Sequence, residues 1–238
     1  MSRSGRRPLL VALAILLVGA ILDIALRQAG AADRTPVDLT LVLAVDCSYS
    51  VDDEEFRLQM DGLARAFRTP EVVEALRSGP RGVIAVVLVQ WSGVGAQSVA
   101  VPWRSVANAA DAFALAAEIA AAPRLTNGGS TSISSAIDAG VALILSSPYR
   151  GSRATIDVSG DGDNNNGAPP DLSRDRAVAL GLTVNGLAIL NDVFYLDKYY
   201  ENHVVGGPGH FVITTDDYLD FAGAIRLKLL REIVWPTS

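Results

Sequence analysis

Apolar runs and helical stripes alternate along this chain. Six stretches, 38–45, 82–90, 97–102, 153–159, 182–188 and 210–214, are apolar nearly throughout or alternate at period two, and read as strands. Five segments, 52–67, 108–121, 131–146, 171–180 and 216–233, space their apolar residues three or four apart and read as helices. Phe56, Met60, Leu63 and Phe67 share a face of the first helix; Tyr218, Phe221, Ile225 and Leu229 share a face of the last. Both stripes are expected to be core. Continuous apolar strands between helices imply an α/β fold: a doubly wound, mostly parallel sheet with helices on both faces. Residues 97–102 are expected to form a short edge strand in a hairpin with 82–90, and 160–171 and 190–209 to be long irregular loops.

The N-terminus follows a different pattern. Arg3, Arg6 and Arg7 precede an apolar run from Leu9 to Leu22, and Ala29-Gly30-Ala31 supplies the small residues that export peptidases cut after. Residues 1–31 are therefore expected to be a signal peptide. Asp23 interrupts the run, yet from Leu9 to Leu26 it is nearly long enough to span a bilayer, so an uncleaved inner-membrane anchor is the alternative. Either way the remaining chain is expected to be periplasmic or secreted, touching a membrane only through that segment.

Removing residues 1–31 leaves 207 residues, enough for one well-filled core. The removed segment carries four Arg and one Asp, so the formal charge moves from −6 to −9. An acidic surface argues against nucleic acid, which needs a basic stripe. One cysteine, Cys47, allows no internal disulfide, and its place in the sequence fits a buried thiol.

The candidate chemistry lies where two apolar strands end. Asp46-Cys47-Ser48-Tyr49-Ser50 follows the first strand, putting a carboxylate and two hydroxyls at alternate positions on the turn that leaves it. Oxygen ligands on short side chains in a stiff loop are how hard cations are held. Thr126-Asn127-Gly128-Gly129-Ser130-Thr131 opens a helical pattern and offers one more neutral oxygen, from Thr131. Thr155 to Ser159 forms a second buried strand, leading into Gly160-Asp161-Gly162. In doubly wound sheets ligands bind beyond the C-terminal ends of the strands, so Asp46 and Asp161 reach one rim from different strands.

Together these three segments resemble the metal-ion-dependent adhesion site of the von Willebrand factor type A domain. The resemblance covers residues 37–236. Ser147-Pro148-Tyr149-Arg150-Gly151, Ile156 to Gly162 and Gly206-Gly207-Pro208-Gly209 look like one subgroup, exported bacterial proteins known as a domain of unknown function. Matched residue by residue, the resemblance implies a metal site of Asp46, Ser48, Ser50, Thr131 and Asp161. It also implies direct coordination by the serines, direct or water-mediated contact by the threonine, and water-mediated contact by the aspartates. Two carboxylates roughly neutralise a divalent ion and leave a coordination position that a partner protein's acidic side chain can fill. Near-octahedral geometry with retained waters suits Mg²⁺, with Mn²⁺ the second candidate; Ca²⁺ prefers more ligands and more charge. The implied function is an extracytoplasmic adhesion or assembly module, not an enzyme.

Plainer roles compete for several of these residues. Ser48 and Ser50 could simply cap the helix starting near Asp52. Asp52 to Glu55 fit a first-turn acidic cluster favoured by the helix dipole. Asp157, in mid-strand, calls for a structural hydrogen-bond partner, and His203 and His210 have no ligand-like spacing. Asp161, Asp163 and Asn165 fit the start of an EF-hand loop, but Asn166 and Leu172 stand where it needs Gly and Glu. No Gly-x-Ser-x-Gly elbow or Gly-x-x-x-x-Gly-Lys loop occurs, and Ser98 replaces the third glycine of a dinucleotide fingerprint begun at Gly93 and Gly95. A metal-assisted phosphohydrolase is the remaining enzymatic alternative. It would call for a Lys or further carboxylates at the rim, and the only lysines are Lys198 and Lys228.

Overall fold

Ten consecutive residues of the first strand, Val37 to Asp46, are buried, and that burial organises the molecule. The computed structural model describes residues 34–126 and 129–235; the expected leader at 1–31 lies outside them. Strand β1 (Thr35–Asp46) pairs in parallel with β2 (Ile84–Trp91), whose eight residues are also all buried. Residues alternate across a strand, so each strand feeds two cores. Leu39, Leu41, Leu43 and Val45 join Ile84, Val86 and Leu88 on one face, while Val42 and Ala44 join Val87, Val89 and Trp91 on the other.

The first core is covered by α1 (Asp53–Ala66), α2 (Pro70–Ala75), α3 (Ala109–Ala121) and α7 (Phe221–Ile233). The second is covered by α4 (Ile133–Ser146), α5 (Pro170–Ala179) and α6 (Leu196–Tyr199), the last running into a π-helical turn at Tyr200–Val204. With β3 (Gln97–Val106), β4 (Tyr149–Gly160), β5 (Thr183–Ile189) and β6 (Val212–Thr215), the sheet has the order β3-β2-β1-β4-β5-β6. The β4–β5 and β5–β6 pairs are parallel and β2–β3 is antiparallel. The fold is the expected doubly wound α/β sheet, and all six strands and five main helices are present.

The departures are local. β3 is not short: it extends to Val106, and its register against β2 shifts where Pro102 and Trp103 oppose Val87. Proline has no N–H for a ladder, so an edge strand is where it fits. The last helix begins at Phe221 rather than 216, leaving Tyr218 in the turn before it. The segment 190–209 is not wholly irregular, since it contains α6 and the π turn, and α2 was not legible at all. Helices of one turn or two are too short to show a periodicity.

Within β4, Asp157 belongs to a buried ionic cluster. Lys228 Nζ lies 2.8 Å from Asp157 Oδ1 and 2.7 Å from Glu232 Oε1, with all three side chains nearly or fully out of water. The Asp157 contact is ionic rather than a well-aligned hydrogen bond, whereas Lys228 and Asn185 both donate to Glu232, Asn185 at 2.9 Å. Asp157 thus has a structural ion-pair partner in Lys228 rather than the hydrogen bond its mid-strand position called for. Burial and then Glu232 push its carboxyl above the ordinary range, against the pull of Lys228. Two carboxylates share one ammonium, so losing the cation is the damaging change. Lys228→Met should cost about 3–5 kcal/mol in urea unfolding, whereas Asp157→Asn, which leaves the remaining pair balanced, should unfold close to wild type. The reverse ranking would show that Lys228 is not what neutralises the cluster.

Candidate metal centre

The site grows out of the end of β1. Asp46 is fully buried, and its Oδ1 accepts the backbone N–H of Ser48 at 2.7 Å, which folds the chain into a tight turn. Cys47 continues the ladder by donating its N–H to Trp91 O at 2.8 Å while its thiol is buried, away from the hydroxyls. Ser48 Oγ then lies 3.2 Å from Ser50 Oγ, and Ser50 Oγ donates to Asp161 Oδ1 at 2.7 Å. Asp161, just past β4, accepts a second hydrogen bond at Oδ2 from the Tyr218 hydroxyl at 3.0 Å. The strand order explains the meeting. β1 lies between β2 and β4, where the winding reverses, so the ends of β1 and β4 flank the switch point.

The serines do not cap α1. Asp52 does, accepting the N–H groups of Glu54 and Glu55 at 2.7 and 2.8 Å while Glu55 Oε2 accepts the Asp52 N–H at 2.8 Å. Asp52 to Glu55 are thus cap and first-turn acids, and both serine hydroxyls are free of that task.

Thr131 is held by backbone rather than side-chain bonds. Its N–H donates to Asn165 Oδ1 at 2.8 Å, and its carbonyl accepts from the N–H groups of Asn165 and Asn166 at 2.9 and 3.2 Å. This double clamp ties the loop before α4 to the loop after β4. It brings the Thr131 hydroxyl beside Gly162, where a Cβ would sit 3.8 Å from Oγ1. Thr131 precedes the helix, whose N-cap is Ser132. The clamp also spreads Asp161, Asp163 and Asn165 among different partners, Tyr218, Tyr195 and Thr131, which is not how an EF-hand loop folds. His203 stacks near Tyr199 and His210 Nδ1 meets Gly207 O, both away from the site.

A cavity of about 430 Å³ opens over these residues. Ser50, Thr131 and Asp161 line it, together with Tyr49, Asp163, Asn165 and Asp192. Asp46 and Ser48 do not line it; they are fully buried and connect to it through Ser50. So the structure gathers all five expected residues at one end of the sheet, three in the wall and two beneath.

The electrostatics are unfavourable as they stand. Burial, and next the neighbouring Asp161, push the Asp46 carboxyl up to about 8. Burial also raises Asp161, against the hydrogen bonds from Ser50 and Tyr218 that hold it down. Asp46 Oδ2 has no hydrogen-bond partner. A Cβ on Gly160 would come within 2.8 Å of that oxygen and 2.9 Å of the equally unpartnered Tyr200 hydroxyl, so only glycine leaves room there. Among the described residues no three His, Cys, Asp or Glu side chains surround one point. An ion here would therefore need the hydroxyls. Two desolvated carboxylates, a spare carboxylate oxygen and three hydroxyls fit a hard divalent cation.

Sequence reasoning missed Tyr218 as a site residue. It was read as part of a helical stripe, and no local signal marks a hydroxyl that reaches a carboxylate 57 positions earlier. The Gly160 requirement and the Asn165 clamp were equally invisible.

The sheet order, the loop after β1 and this rim together define a von Willebrand factor type A fold, and solved structures agree. Proximal thread matrix protein 1 from the mussel byssus superposes with a TM-score of 0.61 at 18% identity, covering 82% of this chain and 47% of that one. A further structure of it, with a zinc-occupied MIDAS motif, gives 0.56 at 19% identity, over 84% and 48%. The vWF domain of the type V pili tip protein Mfa5 from Porphyromonas gingivalis gives 0.58 at 10% identity, over 85% and 98%. The von Willebrand factor type A structure from Catenulispora acidiphila gives 0.56 at 17% identity, over 83% and 43%. This chain spans about half the length of the mussel protein. No curated protein matches the sequence. Residues 36–237 match the family described as "Protein of unknown function (DUF1194)", and the chain belongs to that family.

The raised Asp46 carboxyl has a consequence for stability. Because the folded state holds the proton up to about pH 8, while the unfolded chain releases it near the ordinary aspartate value of 3.8, the folded state binds more protons between these limits. Stability of the metal-free protein should then be greatest at the acid end and fall as pH rises through the window, by at most about 1.4 kcal/mol per pH unit. Asp46→Asn should flatten that slope. Urea unfolding in chelator at pH 5, 6.5 and 8 tests this, and a wild-type profile that stayed flat or rose would refute it.

Proposed function

We propose that this chain is a metal-dependent protein-binding module, serving adhesion or assembly outside the cytoplasm. Its ion is held by Asp46, Ser48, Ser50, Thr131 and Asp161, and its partner supplies an acidic side chain. The observation that carries this reading is the buried pair Asp46 and Asp161, with one carboxylate oxygen unpartnered and hydroxyls between them. Such a pair is costly unless a cation neutralises it. The zinc-occupied MIDAS motif of the mussel protein and the pilus-tip location of Mfa5 support a similar use here.

The residues divide the work. Asp46 and Asp161 provide the charge, and the Ser48 N–H and the Tyr218 hydroxyl fix their orientations. Ser48 and Ser50 add neutral oxygens, so the site would not become strongly negative around a divalent ion. Thr131 lies in the cavity wall, on a clamped loop, where a partner entering the cavity would meet it. A bound ion would supply an electrophilic position for an outside oxygen. Mg²⁺ suits this hard, mostly neutral donor set, with Mn²⁺ next.

The phosphohydrolase alternative fits less well. Phosphoryl transfer spreads negative charge over several oxygens, which active sites stabilise with cations. The further carboxylates that reading calls for are present in Asp163 and Asp192, but they would oppose that charge, and among the described residues no Lys, Arg or His lines the cavity to offset it. Lys228 is buried in the ionic cluster with Asp157 and Glu232. Among the described residues no helix is long and apolar enough to cross a membrane. Membrane attachment in this proposal therefore falls to residues 1–31, either cut off or kept as an anchor.

Two measurements test the proposal. Calorimetry with Mg²⁺ should show about one site per chain, abolished in Asp46→Ala with the fold retained by circular dichroism; equal uptake by the variant would refute the ligand assignment. N-terminal sequencing of envelope material should begin near Ala32. An intact Met1 in the membrane would select the anchor, and an intact Met1 in soluble cytoplasm would exclude export.

A further inference from the structure

The wall above the candidate ion has a charge of its own. Asp163 and Asp192 line the cavity beside Asp161, and among the described residues no Lys, Arg or His lines it with them. Asp192 stands close enough to disfavour ionisation of both Asp161 and Glu55. Arg124, the cation that acts on Asp46, is already engaged, with its guanidinium on Asp53 at 3.2 Å and on the Cys47 and Val51 carbonyls at 3.2 and 2.7 Å. A divalent ion would be neutralised by Asp46 and Asp161 alone, so Asp163 and Asp192 leave the mouth negative. A lone carboxylate approaching it meets like charge.

The same mouth carries exposed rings. Tyr49, between the two candidate serine ligands, is 87% exposed, and Phe194, two residues beyond Asp192, is 84% exposed. Tyr195 packs edge-on to Phe194 with ring centroids 5.6 Å apart, and its hydroxyl donates to Asp163 Oδ2 at 3.0 Å. The loop after β5 is thereby fastened to the loop after β4, and its ring is held rather than free. Aromatic side chains in water are poorly accounted for by folding and are well suited to anchoring a partner. Ring faces also attract Lys and Arg. Acids and rings on one rim are complementary to a basic surface.

We infer that the partner delivers its carboxylate from a basic surface: an Asp or Glu flanked by Lys or Arg, which pair with Asp163 and Asp192 and lie against Tyr49 and Phe194. The carboxylate-to-ion contact rests on the function proposed above; the basic surround rests on the rim alone. It explains how an acidic site can accept an acidic group, since the flanking cations offset the repulsion that a bare carboxylate would meet.

The test is selection from displayed random peptides with one fixed central Asp, on the whole protein in Mg²⁺, with elution by EDTA. Lys and Arg should be enriched several-fold over the input library within about three residues of the Asp. The double variant Asp163→Asn, Asp192→Asn should lose that enrichment while its Mg²⁺ uptake by calorimetry is unchanged. Phe194→Ser should weaken a selected peptide by about tenfold. EDTA-eluted peptides with neutral or acidic flanks would overturn this inference and leave the metal-dependent reading standing. Basic peptides that ignore EDTA and tolerate replacement of their Asp by Asn would uphold the basic surround and overturn the carboxylate-to-ion contact. Recovery of no peptide in any arm would overturn both.

Discussion

Two carboxylates held out of water at the ends of neighbouring strands are the constraint around which this molecule is arranged. Burial raises the proton affinity of both Asp46 and Asp161, and the neighbouring Asp161 raises that of Asp46 further. Every contact around them limits that cost without removing it: the Ser48 N–H on one carboxylate, Ser50 and Tyr218 on the other. The strained electrostatics persist because two large apolar cores hold the strands in place. A local violation of the rules of stability, tolerated by a well-packed surround, is what a binding site looks like.

The same strand shows the contrasting solution. Four residues before Asp161, Asp157 is equally deep, but there the fold supplies its own cation in Lys228, from α7. That cluster is closed by Glu232 and Asn185 and is structural. At the Asp46 end no side-chain cation is supplied; Arg124 acts only from a distance and spends its donors on Asp53 and backbone carbonyls. The difference between a buried ionic cluster and a candidate metal centre thus comes down to whether the fold brings its own positive charge to the buried acids.

Rigidity around the cavity comes from bonds between loops. Thr131 is clamped on both its N–H and its carbonyl by the loop after β4, and Tyr195 ties the loop after β5 to Asp163. Two loops from strand ends and the loop joining α3 to α4 are therefore tied together across the rim. Oxygen ligands on short side chains have little reach of their own, so their positions are set by these loop-to-loop bonds.

The sequence by itself determined the layers and the donor set. Unbroken apolar runs such as Leu41 to Val45 show burial on both faces, and stripes such as Phe56, Met60, Leu63 and Phe67 show which side of a helix is core. Both are periodicities within one element, so they are legible before folding. The alternation in Asp46-x-Ser48-x-Ser50 is local in the same way. Only the tertiary structure decided how these oxygens are shared: that Asp46 and Ser48 lie beneath the cavity while Ser50, Thr131 and Asp161 face it, that Asp52 rather than a serine caps α1, and that Tyr218 leaves its helical stripe to hold Asp161. It also decided that Lys228 answers Asp157 and nothing comparable answers Asp46. Apart from the Asp52 cap, these are contacts between residues tens to more than a hundred positions apart. They are fixed by which strands lie side by side, and no periodicity along the chain encodes that.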